Sequence, residues 1–324
     1  MTTLSDGQVS NHVPDHHDLS VSPAEEKAIA RELTPSVAWP TLILAIALPL
    51  IFAALVYLGF TRLMPLWFCT PILALVSYAH YTLVHESIHG NLVPAYPRLR
   101  VLNEIVGWVG ALGMGLAWPF LKRTHVKHHS HTNTELDPDI FVKGTLSQLF
   151  VKWAIMSVMS FIPLPLLKYI DRNRYGRVSR LLVGTESWQM AVVACLTPTL
   201  LVAAYFTGHV AEWIFLWLLP IRLAALLLNL FFQWLPHHPF NRTERYLNTR
   251  ISIWVGGTIF TLQQNLHLMH HLWPSVPFYN YRRLYLRLRP VLLAKGSRIE
   301  GLITGPDARD RRPVVLGVTA SVPK

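Results

Sequence analysis

The 324-residue chain is 52% apolar and only 15% charged, with a formal net charge of +11 and a positive mean hydropathy. A soluble domain of average make-up carries about 25% charged residues, so this composition excludes an ordinary soluble protein and points to one that crosses a membrane. The positive excess suits loops facing anionic lipid and is not read as a nucleic-acid footprint.

Residues 1–36 are polar and lack the charged-then-apolar pattern of a secretory leader. They read as a disordered tail that includes His12, His16 and His17. Residues 37–60 carry no charge and reach about 36 Å as a helix, against a hydrocarbon core of about 30 Å. A short link leads to a second apolar run at 66–84, which delivers the chain into His85. The two runs predict a transmembrane hairpin. Residues 101–121 hold Asn103 and Glu104 and have basic residues at both ends, which predicts an interfacial or re-entrant segment. Residues 147–167, interrupted by Lys152 and a P-L-P at 163–165, read the same way, and the basic stretch 168–180 belongs at the membrane surface.

Residues 187–206 and 210–232 predict a second hairpin, joined around Gly208. Arg222 falls halfway along its second arm, where an intramembrane charge marks either a functional group or a guanidinium paired inside the bundle. A semi-polar stretch and a basic tail close the chain. The fold expectation is therefore all-α and multi-pass: four transmembrane helices in two hairpins plus interfacial helices, with a tail at 1–36, a membrane domain at 37–290 and a basic tail at 291–324.

Cys69 and Cys195 lie inside apolar runs and provide no disulfide framework, redox pair or iron–sulfur ligation. Histidines carry the chemistry instead. His85 and His89 (HESIH) stand four apart. His125, His128 and His129 (HVKHH) and His267, His270 and His271 (HLMHH) share an H-x-x-H-H spacing that puts imidazoles on one helix face. His237 follows the second hairpin with His238 beside it, and either could join the set. With two hairpins and two non-crossing segments, all these clusters fall on one side, while the opposite links hold Arg62 and His209. Residues 85–186 carry 12 Lys and Arg and residues 233–324 carry 13, which places that side in the cytoplasm, at an inner membrane if the source is bacterial. Eight or nine imidazoles exceed what one zinc takes and suit two metals at four or five nitrogens each. Neutral nitrogen ligands with open positions favour iron and dioxygen, and Glu86, Asp137 and Asp139 could orient imidazole N–H groups from behind.

The three boxes, in order and with the membrane pattern between them, resemble those of the integral-membrane fatty acid desaturase and hydroxylase superfamily. D-P-D at 137–139, W-L-P-H at 234–237 and H-H-L-W-P from His270 are most similar to its bacterial desaturase and carotenoid-hydroxylase branch. The resemblance implies two non-haem irons held by His85, His89, His125, His128, His129, His267, His270 and His271, with His237 as the additional ligand. It implies O2 as co-substrate and a lipid held against the site. Fatty-acyl desaturation is the first expectation, by analogy with the commonest chemistry of the superfamily. Carotenoid hydroxylation or ketolation is second, and oxidative removal of a fatty-acid carboxyl group is third. No haem or flavin motif is present, so electrons are expected from a separate ferredoxin- or rubredoxin-type protein, docking on residues 168–180 or on the Arg282 to Arg289 run. Two rivals exist. HESIH also fits the zinc-protease motif H-E-x-x-H, which leaves six boxed histidines without a role. A metal transporter would want polar residues along the spans.

Overall fold

The computed structural model describes residues 21–159 and 180–302, together with residues 161, 162, 166 and 169. Among the described residues, four helices are long and apolar enough to cross a membrane: α2 (Trp39–Phe60), α3 (Leu66–Ile88), α7 (Glu186–Thr207) and α8 (Val210–His237). On α2, Trp39, Ile43, Ile46 and Leu50 are more than half exposed, as lipid-facing side chains must be. In α3, 61% of the spanning window is buried, against 17% in α2 and α7. Helix α3 is thus the central post around which the others stand, and it carries His85 within the membrane helix itself, not just beyond its end.

Between the hairpins, α4 (Val101–Gly113) and α5 (Trp118–His131) form a pair bent by 102°, which agrees with the re-entrant reading of 101–121. Gly115 supplies the left-handed turn at φ +66°, and Pro119 in the first turn of α5 suits the restart. Glu104 latches the bend by accepting from Trp118 Nε1 at 2.6 Å and from Lys122 Nζ. Helix α6 (Leu146–Met159) is apolar but too short to span. Most of 168–180, with its basic patch, and the P-L-P lie outside the described residues.

Helix α4 reaches α3 through glycines. A Cβ on Gly110 would lie 2.8 Å from the His80 carbonyl, and one on Gly113 would lie 2.3 Å from the His80 ring. Small residues allow backbones to approach in a membrane, where no hydrophobic drive between helices exists. Gly110→Ala is therefore expected to lower stability in detergent by about 1–3 kcal/mol. An unchanged thermal midpoint would show that the α3–α4 contact can open without cost.

Helix α8 is widened at two π-helical stretches, Ile214–Leu218 and Asn229–Trp234. Each lies just before a proline, Pro220 and Pro236. Proline offers no N–H to the carbonyl four residues earlier, and the wider turn redistributes the hydrogen bonding around that gap. The second stretch sets the exit direction of the chain at His237. At the opposite ends of the spans, Arg62 pairs with the buried Glu212, joining the tips of the two hairpins. Arg222 lies over the Phe161 ring at 5.2 Å, and its backbone carbonyl accepts from Trp153 Nε1 at 2.8 Å.

Two expected tails are partly structured. Within 1–36, Pro23–Glu32 forms helix α1, started by a Ser22–Glu25 capping box. Ala30 and Leu33 at its end are buried with Tyr281, Leu284 and Leu288 of α10 (Tyr281–Ala294). Few apolar residues suffice there because the partner helix supplies the other half of the core. Residues 1–20, including His12, His16 and His17, lie outside the described residues. The folded unit also continues past 290. Helix α10 runs through Pro290, and β2 (Arg298–Glu300) pairs in parallel with β1 (Arg250–Ser252). This two-stranded pairing is a small departure from an all-α fold.

Candidate metal centre

The last turn of α3 presents His85, and His89 caps it. The last two turns of α5 present His125, His128 and His129. Helix α8 ends at His237, and the short helix α9 (His267–Leu272) supplies His267, His270 and His271. Because the three spanning or re-entrant helices end on the same side, all nine imidazoles converge. His85, His89, His125 and His270 offer ligand atoms within 4.8 Å of one another, and His128, His237, His267 and His271 form a second such group. His129 sits between them, in a third grouping with His270 and His271. Its Nε2 lies 2.7 Å from that of His270 and 3.1 Å from that of His125. Other Nε2–Nε2 separations are 3.0 Å for His85–His270, 3.0 Å for His89–His125, 3.3 Å for His128–His271 and 3.2 Å for His267–His271.

The outer nitrogens determine what the inner ones can do. His128 Nδ1–H donates to Asp137 Oδ1 at 2.9 Å and His85 Nδ1–H to Glu86 Oε1 at 3.4 Å. His267 Nδ1–H donates to Gln264 Oε1 at 3.3 Å. His237 Nδ1–H donates to Asn133 Oδ1 at 3.2 Å. The orientation of that amide is fixed, because Asn133 Nδ2 donates to the Arg242 and Asn248 carbonyls at 2.7 and 2.6 Å. Tyr281 Oη lies 3.2 Å from His270 Nδ1, and Tyr81 Oη lies 3.5 Å from His125 Nδ1. With the proton held at Nδ1, the Nε2 atoms of His85, His128, His237 and His267 turn lone pairs inward. His237 Nε2 is buried with no hydrogen-bond partner among the described residues.

Such a cage of lone pairs about 3 Å apart is repulsive when empty and fits a cation. Two imidazoles bound cis to one ion at a metal–nitrogen distance of about 2.1 Å lie about 3.0 Å apart, which matches the separations above. Burial, reinforced by neighbouring imidazoles, holds His267, His270 and His271 well below the ordinary histidine range, so they are neutral ligands at pH 7. Burial pushes Asp139 up to about 6; Gln233 Nε2 donates to it at 3.0 Å.

All nine boxed and additional histidines meet, as their spacing suggested. His237 faces the cluster, whereas the ring of His238 stacks on Trp234 at 4.5 Å. Glu86 is fully buried, behind His85, whose Nδ1 it faces. It accepts from Asn91 Nδ2 and Phe278 N, both at 3.3 Å, a supporting position that does not suit the general base of a protease. Asp137 and Asp139 stand behind His128. Sequence reading missed Tyr81, Asn133, Gln264 and Tyr281. Asn133 lies four residues before Asp137, Tyr81 four before His85 and Gln264 three before His267, so proximity to the boxes was the signal available.

Four helices able to cross a membrane, a sharply bent helix pair and a histidine cluster able to bind metal define an integral membrane protein built around a buried histidine cluster. The fatty acid desaturase family matches residues 61–300, which contain every clustered histidine. The chain belongs to that family and is a membrane-bound, desaturase-like oxidoreductase that acts in lipid oxidation. Among relatives, it is 28% identical over 232 residues to a beta-carotene ketolase of Paracoccus sp. (strain N81106 / MBIC 01143), covering 66% of this chain and 81% of that one. A beta-carotene ketolase of Paracoccus sp. (strain PC1) is 25% identical over 220 residues, covering 66% and 77%. An sn-1 acyl-lipid omega-3 desaturase (ferredoxin) of Synechocystis sp. is 23% identical over 258 residues, covering 70% and 69%.

Proposed function

We propose that this protein is an O2-dependent di-iron oxidase that attacks an unactivated C–H bond of a carotenoid. The observation that carries the di-metal part is the convergence of nine Nε2 atoms into two adjacent groups. His85, His89, His125, His129 and His270 would hold one ion, and His128, His237, His267 and His271 the other. Iron bound there would supply the activation of dioxygen that C–H cleavage requires. The chain's own residues do the rest. Glu86, Asp137, Asn133 and Gln264 hold protons at the outer nitrogens and fix the ring orientations. On the membrane side, Tyr78, Tyr81 and Phe232 form an aromatic wall beside His85 and His125, which excludes water and suits an apolar substrate.

The carotenoid reading is favoured over acyl desaturation by the two ketolase relatives, which align with higher identity and over more of their own length than the omega-3 desaturase does. Fatty-acyl desaturation, the first expectation from sequence, stays as the second reading because of that desaturase relative. Expression in a host supplied with β-carotene and fatty acids, followed by lipid mass spectrometry, separates them. An oxygenated carotenoid with an unchanged acyl profile is expected. An acyl chain two hydrogens lighter would transfer the assignment to desaturation, and a chain-shortened alkene would transfer it to decarboxylation.

In this reading the centre faces the cytoplasm, where a ferredoxin- or rubredoxin-type donor meets the basic residues of α10. The sidedness has a direct test. With Cys195, the exposed native thiol, replaced by serine and the buried Cys69 left in place, a cysteine introduced at Arg62 or at Lys127 is expected to react with an impermeant maleimide from opposite faces. Labelling of both from one face would overturn the topology.

A further inference from the structure

His237 differs from the other clustered histidines in how it is held. Most boxed histidines lie within helical turns, with His89 capping α3, but His237 is the last residue of α8, where the carbonyls of a helix end have no intrahelical partners. Those carbonyls are gripped from the side by guanidinium groups. Arg250 Nε donates to the Leu235 carbonyl at 2.5 Å, and Arg298 donates to the His238 carbonyl at 2.8 Å. Glu300 joins the two: Arg250 donates to its Oε2 at 2.7 Å and Arg298 Nε to its Oε1 at 3.0 Å. The side chains of Arg250 and Glu300 are each 3% exposed. Strand β1, which carries Arg250, also accepts at its Ser252 carbonyl from Asn265 Nδ2 at 2.8 Å, two residues before His267. The β1–β2 pairing therefore lies between the last residue of α8 and the start of the third box.

Burying an ion pair seldom adds net stability, because an apolar pair of similar volume does as well or better. What the charges provide here is direction, since only donors can hold those two carbonyls. We propose that Glu300, acting through Arg250 and Arg298, is the positioning residue for His237, and that strand β2 is a clamp required for the group formed by His128, His237, His267 and His271 to retain its ion. This inference rests on the di-metal reading above.

The test compares wild type with Glu300→Gln and with the double variant Arg250→Met/Glu300→Leu, all in detergent. Iron per chain is measured after reconstitution. Acylation of individual histidines by diethyl pyrocarbonate is mapped by mass spectrometry in metal-free protein. Glu300→Gln is expected to weaken the second ion about ten- to a hundredfold, leaving about one iron per chain after dialysis. In the same variant, the labelling of His237 should approach that of His209, whose side chain is 44% exposed, while His267 stays protected. The double variant should keep its melting temperature and still lose the second ion. Two irons and a protected His237 in Glu300→Gln, or two irons regained in the double variant, would overturn the clamp. So would loss of both ions with lowered melting in both variants, which would make the pair purely structural. Fewer than two irons in wild type would overturn the di-metal reading first, and the clamp with it. The footprint, taken without metal, tells those two failures apart.

Discussion

Replacing His270 with alanine is expected to reduce turnover to background and to take iron content below one per chain, while the protein still purifies folded. His270 is fully buried, and its Nε2 lies 3.0 Å from that of His85 and 2.7 Å from that of His129. It belongs to the first group and also to the bridging triplet with His129 and His271. His270 thus ties His85 to the bridging His129, so its loss opens one ion site and disturbs the neighbouring one. Folding should survive because Leu268, Met269 and Leu272 on the same short helix pack into a core with Tyr281, Leu284 and Leu288. Metal analysis, turnover and a thermal melt on one preparation check all three parts. Appreciable turnover in His270→Ala would remove this residue from the centre.

Asn133→Gly is expected to lower affinity for the ion held by His128 and His237 by about ten- to a hundredfold, the usual cost of losing a partner behind a ligand. The side chain fixes the proton on His237, and its backbone N–H donates to Asp137 Oδ2 at 2.7 Å while Asp137 holds His128. One residue thereby sets two ligands of one group. Glycine is the informative replacement because Asn133 has φ +63°. Alanine in that region adds about 1–2 kcal/mol of strain and would mix two effects. Glycine removes only the amide. Metal titration of the glycine variant should show one site weakened and the other as in wild type; equal weakening of both would assign Asn133 to the fold and not to the second group.

Much of this architecture was legible in the sequence because its causes are local or uniform. A bilayer imposes one length and one polarity on every span, so the uncharged run at 37–60 and the apolar run at 210–232, with only Glu212 and Arg222 as charges, announce themselves. Histidines at i, i+3 and i+4 share a helix face whatever surrounds them. Much of what is missing depends on distant partners. Asn133 is an ordinary polar residue until His237 is brought against it across 104 positions, whereas Gln264 lies only three residues before His267, where residue type alone does not mark it as a partner. The choice between His237 and His238 follows from where the widened turn after Asn229 aims the end of α8. Helix α1 looked like a polar tail because the residues that bury it are on α10. The partners Arg250 and Glu300 stand 50 residues apart, and no local pattern marks Arg298–Glu300 as a strand.

The wide sequence separation within the centre also fixes an order of events during biosynthesis. His85 meets His270 across 185 positions, and His128 meets His271 across 143. The ribosome therefore delivers the first six imidazoles, His237 among them at the end of the second hairpin, before the last three exist. Neither ion group can close on a nascent chain. Every molecule therefore passes through an inserted stage in which both ligand groups are incomplete. For the di-iron centre proposed above, metal acquisition is completed only after insertion, and a cell short of iron would accumulate an assembled but inert precursor in its membrane.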